Sequence, residues 1–392
     1  MTENNLYLPV NWIDGMKITR KHFEDTGLYT EALARDISAM HMNGDNFGIL
    51  PGAGSLALKV SCDSNMLIQV ELKSCYAITP DGSRIQFNAD QTIRENINFK
   101  DISARYNLPL SQTQQLYLLL TINHFRRLPF GIPVMEENPP RHPFTKPDIS
   151  IYVLPGQQLN TAQLSGSLII GMITYQNGEL QFNPDYIPPC TSVSSLPVLT
   201  DWLTKFRQAL DIWETSCLKV IQKTNSKIQT QQPNVLAGNI QKISEKMLEQ
   251  LVKQKARFQW SLEKSAPVHL CVALLEQVQL MHAILQCYPE KDREEMLNYF
   301  AEWTETPAGT LENQNLRLFQ QAYNHYDVGS LLHEMYTVYQ THIQIFQKLA
   351  QLEFIGKKKG QGIFVIEQEV KENKPSSVTP VQKPNSRWSP LS

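Results

Sequence analysis

The sequence predicts an α+β multidomain protein, an N-terminal antiparallel β-sandwich followed by a central α-helical bundle. Three observations predict it. Between residues 47 and 182, short apolar stretches alternate with polar residues and are separated by turn signals, which is the pattern of antiparallel strands. The segment Tyr186-Ile187-Pro188-Pro189-Cys190 then punctuates the chain, because two prolines cannot continue a sheet interior. From residue 196 to about 354 the apolar spacing changes to that of helices. The expected divisions are 1–45 (arm and helix), 46–190 (sandwich), 191–354 (bundle) and 355–392, a short C-terminal segment and largely disordered tail.

Taken in order, residues 7–18 read as an extended arm, with Pro9 and Gly15 breaking any helix. A helix is expected from about Thr19 to Met42. Thr19 is placed to cap it, although His22 stands where a capping box carries Glu. Leu28, Leu33, Ile37 and Met40 supply its apolar face.

Strands are expected at Leu56, Leu58 and Val60, at 67–78, and at 84–87 after the Asp81-Gly82 turn. Residues 115–125 form the strongest apolar run and belong at a sheet centre. Strands at 149–154, 168–175 and 180–182 follow, the last after Gln176-Asn177-Gly178. An insert from 129 to 147 holds Pro129, Pro133, Pro139, Pro140, Pro143 and Pro147, with Arg126 and Arg127 before it and Arg141 and Lys146 inside. It reads as stiff, extended and poor at regular structure, either a surface loop or a docking arm.

The helical run opens on Leu199, Leu203, Phe206, Leu210, Trp213, Cys217, Val220 and Thr224, whose alternating steps of four and three make a heptad stripe. Pro233 and Gly238 are read as the break before a second helix, roughly 239–260. Pro267 opens a third, to about 288, and 290–304 reads as a shorter one. Residues 306–309 read as a loop. The last helix carries Val328, Leu331, Met335, Val338, His342, Ile345, Leu349 and Leu352. Stripes of this kind pack in an antiparallel bundle. With Trp202 and Tyr339 beside the seam, they also suggest contacts between copies, assigned to Leu203, Leu210, Trp213 and Met335. After 354, Lys357-Lys358-Lys359 reads as a solvated hinge, 363–366 as a short strand and 371–392 as a polar tail.

Composition narrows the function classes. Of the 392 residues, 42% are hydrophobic and 19% charged, enough to bury real cores. A net charge of −2 argues against a dedicated nucleic-acid binder. The first nine residues lack the basic and apolar regions of a signal peptide, and runs such as 116–122 and 168–173 are too short to span a bilayer. The six scattered cysteines read as buried thiols, so a cytoplasmic protein is expected.

Catalytic signatures fail one by one. His333-Glu334 lacks the second histidine of a zinc helix, because Thr337 occupies its position. There is no Cys-x-x-Cys. Gly52-Ala53-Gly54 lacks the third glycine of a dinucleotide site, and Gly360-Gln361-Gly362 is not followed by Lys-Ser/Thr. His282 reads as a satisfied bundle residue. No enzyme activity, cofactor or metal is expected.

Three segments carry a family pattern. Trp12-Ile13-Asp14-Gly15-Met16-Lys17-Ile18 followed by His22-Phe23, then Asn138-Pro139-Pro140-Arg141 with its proline run, then Tyr186-Ile187-Pro188-Pro189-Cys190, resemble in order the motifs of the TssK family, baseplate subunits of the bacterial type VI secretion system. The resemblance covers about residues 7–354. It implies a non-catalytic homotrimer on the cytoplasmic side of the inner membrane. The β-domain would be similar to the shoulder domain of phage receptor-binding proteins. It would attach to the wedge of TssF, TssG and TssE, and the other end would connect to membrane-complex proteins without inserting into the membrane itself. Tyr7, Trp12, Met16, Phe23 and Arg141 are the expected protein contacts. The sequence departs from the family after residue 354, where 355–392 is too short for the usual folded C-terminal domain. The competing class is a phage-tail-like receptor-binding or adaptor protein outside type VI secretion.

Overall fold

A computed structural model describes residues 7–160, 164–226, 234–304 and 307–356. The expected Lys357–Lys359 hinge, the strand at 363–366 and the tail lie outside these residues.

The chain opens with helix α1 (Arg20–Ala39) and two antiparallel sheets. The first sheet is built on β3 (Leu67–Ile78), which carries β1 (Gly48–Ile49) and β2 (Leu56–Cys62) along one edge and β4 (Arg84–Phe87) and β5 (Ile93–Asn98) along the other. The second has the order β7-β6-β8-β9, with β6 Gln114–Phe130, β7 Phe144–Pro155, β8 Ser167–Gln176 and β9 Glu179–Phe182. Alternate residues point inward, as the two-residue period requires. Ile68, Val70 and Leu72 bury from one sheet, and Leu116, Leu118, Leu120 and Ile122 from the other. In β8 the buried positions Leu168 and Ile170 are followed by Ile173 and Tyr175. The frame slips at a bulge beside Gly171, which lies close to Phe182 of the neighbouring β9 and to Leu58 of the facing sheet.

Three elements here have no counterpart in the sequence reading, the short β1, β5 and helix α2 (Phe99–Tyr106). Asn98 caps α2 by accepting from the Lys100 N–H at 2.9 Å, and Asn107 ends it in the left-handed region. Phe99 stacks on Tyr175 at 4.7 Å and closes that end of the sandwich.

The proline insert is also more regular than expected. β6 runs through Pro129 to Phe130, and β7 begins at Phe144, with Arg127 opposite Pro147 and Pro129 opposite Thr145. β8 pairs β6 only as far as Thr121, so beyond it both strands of the hairpin are edges. An edge tolerates a proline because one side of the strand has no ladder to satisfy.

The second half is a bundle of six described helices: α3 (Pro197–Thr224), α4 (Val235–Trp260), α5 (Pro267–Gln286), α6 (Glu290–Thr304), α7 (Ala308–Gln320) and α8 (Val328–Gln351). The loop expected at 306–309 overlaps the first turn of α7, and the rest of that helix has no counterpart in the sequence reading. Gly238 does not break a helix; it lies inside α4, whose start is set by Asn234 accepting from the Leu236 N–H. α4 runs antiparallel to α3, and the Arg207 side chain donates to the Phe258 carbonyl. α8 lies parallel to α3, pairing Trp202 with His333 and Trp213 with Phe346. α5 is long and apolar enough to cross a membrane, a stretch the sequence reading passed over. Here Leu270, Leu274, Val278 and Met281 bury it inside the bundle.

The two halves share one continuous core. The segment 188–191 runs beside β1: Ile49 donates its N–H to Pro189 O and accepts from the Thr191 N–H. The loop before α8 reaches back, with the His325 imidazole 2.8 Å from the Phe47 carbonyl and the Tyr186 hydroxyl donating to Tyr326 O. Phe354 and Ile355 are buried, so the ordered body extends just past the expected end of the bundle.

Candidate interaction surface

The arm leads into α1 through a turn in which the Met16 N–H donates to Ile13 O and Gly15 adopts a positive φ. The N-terminus of α1 is closed by Thr19 and His22, with the Thr19 N–H donating to His22 Nδ1 at 3.2 Å. His22 thus fills the reciprocal position where Glu was missed. Trp12 folds back over this turn, 5.9 Å from the His22 ring and 6.2 Å from that of Phe23, yet stays 49% exposed. Tyr7 and Met16 are half-buried, while Ile13 and Phe23 are exposed. The structure therefore brings Trp12, Met16 and Phe23 to one end of α1 and covers them only in part.

Arg141 sits elsewhere, in the loop at the tip of the β6–β7 hairpin. Its guanidinium grips Glu137 with two hydrogen bonds of 2.7 and 2.8 Å, which hold that carboxyl below the usual range. An isolated Val134–Arg141 bridge and a contact between His142 Nδ1 and Gly131 O, 2.8 Å apart, close the same loop. Arg141 therefore braces the tip. The surface the tip offers is apolar instead: Ile132, Met135 and Phe144 are exposed, a set the sequence reading did not single out.

The residues assigned to contacts between copies are placed differently from expectation. Leu203, Leu210, Trp213 and Met335 retain 0–3% of their surface, and Trp202 and Tyr339 are buried beside them. Trp202 packs against Phe206, His333 and Tyr336, and the Tyr339 hydroxyl donates to Leu274 O at 3.0 Å. The seam is consumed within one chain, and these side chains have no area left for a second copy. An interface between copies would have to use other residues.

Chemistry-bearing groups are scattered. Burial pushes the Cys75 and Cys271 thiols up to about 12 and those of Cys190 and Cys217 higher still, which keeps them protonated. Cys62 is half-buried and Cys287 exposed, so not all six are buried thiols. His282 is not fully satisfied, since its Nδ1 is buried without a partner beside Phe319. Among the described residues no group of three or more His, Cys, Asp or Glu is placed to hold a metal.

No family model matches the sequence, and no curated protein matches it. Solved structures do. A crystal structure of TssK superposes with a TM-score of 0.51 at 14% identity, over 85% of this chain and 69% of that one. A chain of the baseplate complex from the type VI secretion system gives 0.50 at 12%, over 86% and 99%. A chain of the type VI TssK-TssF-TssG baseplate subcomplex gives 0.48 at 13%, over 86% and 99%. The likeness is one of architecture: the antiparallel sheets followed by helices described above form the α+β fold seen in TssK.

Proposed function

We propose that this protein is a structural subunit of a type VI secretion baseplate. The observation that carries the reading is the fold shared with TssK over 85% of the chain, sheets and helices in the same order. On this reading the protein is a non-catalytic homotrimer at the cytoplasmic face of the inner membrane. Its β-domain holds the wedge proteins TssF, TssG and TssE, and its bundle points toward the membrane complex. The partly covered cluster of Trp12, Met16 and Phe23 supports a wedge contact at the arm, because aromatic residues left half-exposed on a short segment suit a partner's pocket.

Affinity capture of the tagged chain from its own cells, with partners identified by mass spectrometry, tests the reading. Recovery of TssF and TssG is expected. Removal of residues 1–18 should leave a folded protein that no longer recovers them, since none of those described is buried in the core. Capture of phage-tail proteins and no wedge protein would place the chain outside type VI secretion. Unchanged capture by the truncated form would move the wedge contact off the arm.

A further inference from the structure

Helix α1 has 20 residues and none of them is buried. It lies against the sandwich across a cleft of about 580 Å³. Three arginines from three elements line that cleft: Arg35 of α1, Arg84 of β4 and Arg127 of β6. Among the described residues Glu31, one turn before Arg35, is the one carboxylate in the lining. Leu50, Ile78, Ile122 and Pro147 add apolar surface to it.

The charges do not balance. Arg127 forms an ion pair with Glu31, which ties α1 to β6. Arg35 and Arg84 meet no carboxylate among the described residues. Arg35 is half-buried with its stem over Gly82, and Arg84 is exposed. Asp81, the acid closest to Arg84 in sequence, is spent on its own turn, where it accepts from the Thr79 hydroxyl and the Ser83 N–H. Like charges lining one cleft repel each other, and their fields add toward an anion bound there.

The cleft also shows what such groups take. Arg127 already holds a carboxylate presented from a helix. A guanidinium suits that group because its planar fork places two N–H donors against two oxygens. The backbone donors that would cradle a phosphate are committed elsewhere: the Gly82 N–H donates to Thr79 O, and the Ser83 N–H to Thr79 Oγ1 and Asp81 Oδ1. The apolar lining fits aliphatic side chains beside the acid. We infer that Arg35 and Arg84 receive an acidic segment of a partner protein, aspartate or glutamate flanked by aliphatic residues, in the cleft between α1 and the sandwich. The inference does not rest on the baseplate reading, and its residues are not those of the Trp12, Met16 and Phe23 cluster.

The test titrates the full chain with a short peptide of glutamate and leucine, and with the same peptide carrying glutamine in place of glutamate. The glutamate peptide should bind at least about tenfold more tightly, and rising salt should weaken it. The double change Arg35→Gln with Arg84→Gln should weaken its binding about tenfold or more. The unfolding midpoint should stay unchanged, because neither arginine belongs to the core. Arg105→Gln removes a like charge from an exposed position on α2 and should leave binding as it is. Equal affinity for the two peptides, unchanged binding by the double variant, or an equal loss in Arg105→Gln overturns the inference. So does displacement of the peptide by inorganic tripolyphosphate at a lower concentration, which would make the cleft a site for small anions. Capture of wedge proteins is a separate readout: its failure would sink the baseplate reading, and the peptide titration would still decide the cleft.

Discussion

Trp213 of α3 and His342 of α8 stack ring on ring in the middle of the bundle, their centroids 5.4 Å and their planes 18° apart. Both are fully buried, and neither imidazole nitrogen has a hydrogen-bond partner. Burial penalises the charged form and lowers the His342 pKa from 6.5 to about 3. In the unfolded chain the same group takes up a proton near pH 6.5, so its contribution to stability is complete above 6.5 and is lost as the pH falls toward 3.

At about 1.4 kcal/mol per pH unit, acidification from pH 7 to 5 should cost about 2 kcal/mol through this residue. Urea unfolding of wild type and His342→Leu across that range measures it. The variant should lose about 2 kcal/mol less than wild type. Equal losses would mean that water or a rearranged side chain solvates the imidazolium.

Trp213 also meets Tyr339 and Phe346, and no part of its ring reaches solvent. Trp213→Ala should cost roughly 3–5 kcal/mol, because the lost contacts leave a cavity that the surrounding helices fill only in part. Chemical denaturation at pH 7 checks this, and a loss below about 1 kcal/mol would show that the bundle collapses around the gap.

Two glycines should respond in opposite directions. At Gly48, where φ is +115°, a Cβ would lie 2.0 Å from the Pro189 carbonyl oxygen. The Ile49 N–H holds that oxygen at 2.8 Å, so neither strand is free to move away. Gly48→Ala should destabilise the protein by about 3 kcal/mol or more. At Gly238, inside α4, a Cβ would meet nothing within 4 Å. Gly238→Ala should stabilise by about 0.5–1 kcal/mol through helix propensity alone. Melting temperatures of the two variants, compared with wild type, read both signs.

The elements that were legible are those with strong period. Helices α3, α5 and α8 and strands β3, β6 and β8 carry long apolar patterns, and α6 is set off by Pro289 and the apolar cluster Met296, Leu297, Tyr299 and Phe300. What escaped the reading is short or weakly apolar. β5 reads Ile-Arg-Glu-Asn-Ile-Asn, and its strand character comes from pairing with β3. α7 carries Leu311 and Leu318 as its buried anchors, among polar residues. The prolines of the β6–β7 hairpin hid the outer ends of both strands, 126–130 and 144–148, because their tolerance depends on which edge lacks a neighbour, and that is a property of the sheet.

By itself the sequence determined the class of fold and the stripes that must be covered: alternation in the first half, steps of three and four in the second. Only the tertiary structure decided what covers each stripe. The seam through Leu203, Leu210 and Trp213 meets α8 within the same chain, whereas the stripe through Phe23, Leu33 and Ile37, of the same spacing, stays largely exposed even with the Trp12 ring beside Phe23. The physical reason is that hydrophobic burial is non-directional. Periodicity states that a face is unfavourable in water, and only the position of the neighbouring elements states whether the partner is the chain itself or another molecule.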